Sequence, residues 1–219
     1  MSTNFFNGFI NDKSIKYTIK LQINKPVQYL GSCSLLCIDA LYLSYNQYKT
    51  MAIQYIIDQL EHNIKTFESL LSNKTEENYL WRSHPEKWCL LEIVCHLLDE
   101  EQEDFRARVK HTLETPSKDL IPIDPVGWVK ARHYLSKSYH TTLLKFLDER
   151  RLSVAWLNSL KNANWDNALV HPKLGTLSAR LFLENWLAHD YLHIRQIIRY
   201  QYNYLKEKGT TNLQYAGNW

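Results

Sequence analysis

Residues 186–196 read Trp-Leu-Ala-His-Asp-Tyr-Leu-His-Ile-Arg-Gln, and they place two histidines, His189 and His193, four positions apart. The stretch is typical of a long helix that follows a loop and a helix cap. Side chains four residues apart on a helix lie one turn apart on the same face. Two imidazoles in this arrangement can bind a single metal ion.

A second apolar helical stretch carries a third histidine. Residues 88–100 read Trp-Cys-Leu-Leu-Glu-Ile-Val-Cys-His-Leu-Leu-Asp-Glu, and His96 is the one histidine in them. A lone histidine on an apolar helix is more often a hydrogen-bonded core residue, so the prediction depends on His96 and the pair together. Three histidines on two helices, without a fourth strong protein ligand, predict an open metal site rather than a closed structural one.

Two acidic residues share the helix face of His96. Asp99 and Glu100 follow it by three and four positions, which is the spacing of neighbours on a helix surface. Three roles are open to each of them: orienting an imidazole, acting as a weak fourth ligand, or serving as the general base. Glu101 and Glu103 are expected on a solvated face.

Apolar residues recur with helical periodicity from Met51 onward, and they predict two helices before about residue 111. The first helix is predicted to end near residues 72–74, where the apolar pattern stops. Ser83 and Glu86 match a capping box, so the second helix is predicted to begin there. That helix is expected to run to about His111.

The second half of the chain predicts two further helices. Asp124 is the expected N-cap of a third helix that carries apolar residues through Leu147, and residues 151–160 either continue it or form a shorter helix. A loop then leads to Thr176, the expected cap of the last helix, which runs to about Lys206. Strand signals are poor, so we predict an all-α fold, an antiparallel four-helix bundle with long inter-helix connections.

Composition narrows the class of protein. The chain is 45% apolar with six Gly and six Pro, which suits a compact helical domain. Its net charge of +3 is too small to predict a nucleic-acid partner. The apolar run at residues 29–43 is short for a membrane span and is interrupted by Asp39, so no membrane partner is expected. The four cysteines form no C-x-x-C pair, and a reducing cytoplasm is the default location.

The first fifty residues differ from the rest, because they contain no Glu, Arg, His or Trp. The predicted organisation is therefore an N-terminal extension at residues 1–50, a helical bundle at 51–208 and a C-terminal tail at 209–219. Two interpretations of the extension are open. It is poorly ordered, or the start is misassigned and Met51 begins the functional protein.

Spacing excludes two other classes of metal site. A zincin requires H-E-x-x-H, whereas this chain has Asp190 after His189. A di-iron bundle requires paired E-x-x-H elements, and the sequence contains none.

Taken together, the histidine segments resemble the DinB-like superfamily over most of residues 51–205. The motifs that carry the resemblance are Trp88-x7-His96-Leu-x-Asp99-x-Glu101 and His171-Pro-x-Leu-Gly-x-Leu, followed by His189-Asp190-x-x-His193-x-x-Gln196-Ile197. The resemblance implies a four-helix bundle with metal ligands at His96, His189 and His193 and an open position for water or substrate. Members of the superfamily include thiol-dependent transferases, a thiol-dependent isomerase and many proteins without assigned activity.

We therefore expect a metal-dependent enzyme that transfers a low-molecular-weight thiol to an electrophilic small-molecule substrate. The expected cofactor is a divalent ion, Zn or Ni or else Fe or Mn. The expected catalytic residues are the three histidines, with Asp99 and Glu100 as candidates. A metal-dependent hydrolase and a non-catalytic, stress-related metal-binding bundle, for example a homodimer, are the alternatives. A pocket that reaches the open metal position distinguishes an enzyme from a binding bundle.

Overall fold

The computed structural model describes the backbone of residues 34–217 and the side chains of residues 52–217. The chain divides into two units between Ser44 and Tyr45, and the helical bundle belongs to the second unit. Residues 1–33 of the predicted N-terminal extension lie outside the described residues. The predicted division into residues 1–50, 51–208 and 209–219 stays a prediction.

Four long helical segments form the bundle, which confirms the predicted fold class. The first is the part of α1 (Ser34–Leu71) that belongs to the second unit, and α1 itself begins well before the predicted start at Met51. The short helix α2 (Glu76–Leu80) lies in the following connection. The second long segment joins α3 (Leu90–Asp99), a π-helical segment (Glu100–Phe105) and α4 (Arg106–Glu114) without interruption. After α5 (Pro125–Ala131) and a 3₁₀ turn (Tyr134–Ser136), the last two are α6 (Tyr139–Ser159) and α7 (Ala179–Lys208).

The predicted capping box at Ser83 is wrong, because α3 begins after Cys89 and residues 83–87 form turns. The backbone N–H of Cys89 donates to Glu92 Oε2 at 2.9 Å, and Arg82 pairs with the same carboxylate oxygen at 2.7 Å. Glu92 therefore accepts the backbone N–H of the N-cap residue Cys89, which is the contact that the sequence pattern predicted between Glu86 and Ser83.

The predicted third helix is two helices. Its start is confirmed, since Asp124 Oδ1 accepts the backbone N–H of Gly127 at 3.0 Å. The helix ends at Ala131, and His133 then adopts a left-handed backbone with φ of 50°. A new N-cap, Ser138, opens α6 by accepting the N–H of Thr141. The single apolar pattern gave no sign of this break between the two helices.

A β-hairpin precedes α7, in a region where no strand was predicted. Strand β1 (Ala168–His171) pairs antiparallel with β2 (Gly175–Ser178). His171 Nδ1 accepts the N–H groups of Lys173 and Leu174, both at 3.1 Å, and so closes the turn. Leu169 and Leu177 lie opposite each other and are buried in the core, which is why the hairpin docks.

The start of α7 also differs from the prediction. Thr176 lies within β2 and does not cap the helix. Ser178 is the N-cap, and its Oγ accepts the N–H of Leu181 at 3.1 Å.

The core consists of two apolar clusters along the bundle. One contains the α3 and α6 side chains, with Phe67 packed edge-to-face on Phe146 at 5.2 Å between ring centroids. The other contains Phe105, Val109 and Trp186 with the hairpin. The π-helical segment thus links the two halves of the core. None of the helices that the structure describes combines the length and apolarity that a membrane crossing requires.

Candidate metal centre

The structure brings the three predicted histidines together. His189 Nε2 lies 3.0 Å from His193 Nε2 and 3.4 Å from His96 Nε2. One nitrogen of each ring lies within 4.8 Å of the others. Two nitrogens at about 2.1 Å from one ion are about 3.4 Å apart in tetrahedral geometry and about 3.0 Å apart at a right angle. The two spacings to His189 therefore match those of nitrogens that bind one divalent ion.

Gln196 fixes the ring of His193. The His193 Nδ1–H donates to Gln196 Oε1 at 2.7 Å, from one turn further along α7. A histidine that donates from Nδ1 presents an unprotonated Nε2, which is the form that binds metal. The lone pair of His193 thus lies on the side of the other two rings.

Glu100 faces the outer nitrogen of His96. The distance between His96 Nδ1 and Glu100 Oε1 is 3.9 Å. Both atoms are buried, and neither has a hydrogen-bond partner among the described residues. Burial, and after it the neighbouring Asp104, raises the pKa of Glu100 to about 9. A carboxylate behind a ligand imidazole is a common feature of metal sites, because it accepts the N–H that metal binding leaves on the far side of the ring.

The three rings are held in the neutral form. Burial lowers the pKa of His96 to about 3 and that of His193 to about 4. Burial also lowers the pKa of His189 well below its usual value, with contributions from His193, His96 and Arg150. Metal ions bind the unprotonated imidazole, so the site has little proton competition near neutral pH.

Aromatic side chains surround the triad. The ring of Trp88 lies 4.9 Å from that of His96, and the ring of Phe105 lies 4.9 Å from that of His189. Trp186 stacks on Phe105, with 6.0 Å between the ring centroids. These rings keep the histidines in an environment of low polarity, which strengthens electrostatic interactions within it.

The position of Glu101 differs from the prediction, although the residue belongs to a motif that carries the family resemblance. It was predicted on a solvated face, but its exposure is 1% and it binds Arg150. Asp190 also binds Arg150, so it forms a salt link from α7 to α6. The buried position of Glu101 follows from the wider turn of the π-helical segment, which ordinary helical spacing does not anticipate.

Asp99 is engaged by other groups. Its Oδ2 accepts the Tyr134 hydroxyl at 2.6 Å and pairs with Arg132 at 2.9 Å. Arg132 also binds Glu103, which is exposed as predicted. These contacts tie the 3₁₀ turn and the end of α5 to the helix that carries His96.

Comparison with known proteins identifies the family. The family model of the DinB superfamily matches residues 59–197, more than half of the chain and a range that contains all three histidines. The chain belongs to the DinB superfamily. Among curated proteins, none gives a significant match.

This DinB-superfamily chain is similar to a solved structure, YfiT from Bacillus subtilis, described as a probable metal-dependent hydrolase with an unusual four-helix bundle topology. The two share 17% identity with a TM-score of 0.62, over 73% of this chain and 89% of YfiT. A likeness at this identity establishes the fold, and it agrees with the bundle described above.

A surface pocket of this DinB-superfamily protein lies away from the three histidines. Its volume is about 520 Å³, and it is lined by residues 116–120 and 168–172, from the loop after α4 and from the hairpin. His171 borders it but is occupied by the hairpin turn. This pocket does not include the triad, so it does not supply the entrance to the metal position that an enzyme requires.

Proposed function

We propose that this protein is a metal-dependent enzyme in which His96, His189 and His193 bind one divalent ion. The observation that carries the proposal is the convergence of the three Nε2 atoms at spacings of 3.0 and 3.4 Å. Three histidine ligands are the pattern of catalytic sites, which keep a coordination position open. The description of YfiT as a probable metal-dependent hydrolase supports the same class.

The residues around the triad have distinct tasks in this proposal. Gln196 holds the His193 ring with its Nε2 free. Glu100 Oε1 lies 3.9 Å from His96 Nδ1, so in this proposal it is the group that would accept the N–H of that nitrogen when a metal ion binds. Asp99 is assigned a structural task, because Tyr134 and Arg132 already occupy its carboxylate. A divalent ion in the site would supply Lewis acidity, which lowers the pKa of a bound water or thiol.

For the reaction we propose transfer of a low-molecular-weight thiol to a small electrophile. A sulfur–carbon bond forms, the leaving group departs with its bonding electrons, and the thiol proton passes to solvent. Hydrolysis is the second candidate, and the description of YfiT favours it. Imidazole ligands suit Zn, Ni and Fe, and Mn completes the set of metals that we propose. A homodimer and a cytoplasmic location stay predictions.

Activity measurements after loading with each metal test the proposal. The purified protein is loaded separately with Zn(II), Ni(II), Fe(II) and Mn(II). It is then given cysteine or glutathione with 1-chloro-2,4-dinitrobenzene, and separately p-nitrophenyl acetate. We expect metal-dependent thiol transfer that the His189→Ala/His193→Ala variant lacks. Metal-dependent ester cleavage alone would replace transfer with hydrolysis. Equal rates in the variant and the wild type would contradict a metal-dependent enzyme.

A further inference from the structure

A buried ionic cluster lies next to the triad, and we call it the Arg150 cluster. Arg150, from α6, is 2% exposed and binds two carboxylates at once. Its Nε donates to both oxygens of Glu101 at 2.9 Å. Its two terminal nitrogens donate to Asp190 at 2.5 and 2.7 Å. All three charged side chains are almost completely buried.

Two uncharged groups complete the Arg150 cluster. Asn63 Nδ2 donates to Asp190 Oδ2 at 2.9 Å, and Trp186 Nε1 donates to Glu101 Oε2 at 3.1 Å. Asn63 belongs to α1, Glu101 to the π-helical segment, Arg150 to α6, and Trp186 and Asp190 to α7. The cluster therefore joins all four long segments of the bundle at one level.

That level is the level of the histidines. Asp190 directly follows His189 on α7, and Glu101 directly follows Glu100, the residue that faces His96. Phe105 packs against both Trp186 and His189, with ring centroids 6.0 and 4.9 Å away. Each carboxylate bound by Arg150 thus sits on a segment that holds part of the metal site.

We propose that Arg150 is a positioning residue that sets the separation between the helix carrying His96 and the helix carrying His189 and His193. This inference rests on the metal site of the proposed function. The guanidinium is a rigid planar fork, and a fork that binds two carboxylates fixes the distance between them. Metal geometry then follows from the cluster, although Arg150 itself does not contact the ion.

Stability alone is a poor explanation for the cluster. Burying three charges carries a large desolvation penalty, and apolar residues of similar volume often stabilise a fold as well or better. Geometric specificity is the better explanation of a buried arginine with two carboxylates. The alternative explanation is that the cluster attracts the metal ion by its charge, since it has two formal negative charges and one positive charge. This alternative makes a different prediction from positioning. A change that keeps these charges would leave electrostatic attraction intact.

The test uses Co(II) as the probe, since its visible absorption reports coordination geometry. Arg150→Lys keeps the charge but loses the fork. We expect its Kd for Co(II) to rise by about tenfold or more, the scale of changes behind a ligand shell, and its absorption bands to shift. Arg106→Gln is the matched control. Arg106, on α4, pairs at 2.7 Å with Glu149, which lies on α6 next to Arg150. The control should keep the wild-type Kd and spectrum.

A second variant covers the case in which Arg150→Lys does not fold. Glu101→Gln/Arg150→Met/Asp190→Asn removes all three charges at nearly constant volume and leaves no unpaired ion. Weakened binding with a changed spectrum in this folded variant supports the proposal. A wild-type Kd and spectrum in either folded variant overturns it and leaves the metal site standing. If the wild-type protein itself binds no Co(II), Zn(II) or Ni(II), the proposed function fails and this inference fails with it.

Discussion

Gln196 shows how a single uncharged side chain supports the metal site. It accepts the Nδ1–H of His193 from a position three residues further along α7. Replacing it with Leu removes the acceptor, so the imidazole is free to rotate and to change tautomer. We expect Gln196→Leu to weaken Zn(II) binding by about tenfold while the unfolding midpoint changes little.

Gln201→Leu is the control for this change. Gln201 lies on the same helix and donates to the carbonyl of Leu70 at 2.7 Å, outside the contacts of the triad. Competition titration with a chromophoric chelator gives both affinities. Equal losses in the two variants would mean that the effect comes from α7 as a whole rather than from the His193 ring.

The buried histidines also predict how the metal-free protein responds to acid. Burial lowers the pKa of His96 to about 3 and of His193 to about 4, whereas the unfolded chain has a histidine pKa of about 6.5. The unfolded state therefore binds more protons below pH 6.5, and the free energy of unfolding falls as the pH falls. Each such histidine contributes a slope that approaches about 1.4 kcal/mol per pH unit once the pH is well below 6.5.

Urea denaturation between pH 6.5 and 5, in the presence of a chelator, measures this slope. The His189→Ala/His193→Ala variant should have a clearly shallower dependence, because two of the contributing groups are gone. Parallel pH profiles for the variant and the wild type would show that these histidines do not titrate as buried groups.

The sequence predicted the residues of the triad but not their buried surroundings. His189 and His193 are identifiable because their spacing alone places them on one helix face. Glu101 is not, because an acidic residue beside Glu100 and Glu103 resembles a solvated face. Its partner Arg150 lies in another helix, and no local pattern connects two residues so distant in the chain.

At the scale of secondary structure, the predicted and observed helix starts differ in which residue is the N-cap. Ser178 caps α7, whereas Ser83 lies in a turn although its sequence matches a capping box. Ser178→Ala removes an acceptor for the N–H of Leu181, so we expect a loss of about 1 kcal/mol in the free energy of unfolding. Ser83→Ala is the matched control and should be nearly neutral. A larger loss at Ser83 than at Ser178 in chemical denaturation would contradict this assignment.

The elements that the sequence did not predict leave no distinct signal in the apolar pattern. The hairpin strands span four residues each, too few for an alternating pattern to be distinguished from a loop. The π-helical segment changes the register within a continuous helix, and helical periodicity contains no signal for a single widened turn. The break between α5 and α6 depends on the left-handed backbone of His133, which the apolar pattern on both sides conceals.

For the whole molecule, the long apolar stripes were sufficient to predict the bundle. The composition changes at residue 51, and the helical apolar pattern of the bundle starts there. We expect that removing residues 1–50 leaves the melting temperature within about 4 °C, the equivalent of about 1 kcal/mol for a domain of this size. Calorimetry of the shortened chain measures this. Loss of its cooperative transition would show that the removed residues stabilise the bundle.

The central claim is that three histidines from two helices bind one metal ion, and metal analysis of purified variants tests it most directly. The wild-type protein, each single histidine-to-alanine variant at positions 96, 189 and 193, and His189→Ala/His193→Ala are loaded, desalted and measured by elemental analysis. His62→Ala is the control, since His62 is exposed. We predict about one divalent ion per chain in the wild type and the control, and little in the folded variants, because two imidazoles hold an ion poorly. Full occupancy in the double variant would contradict the account.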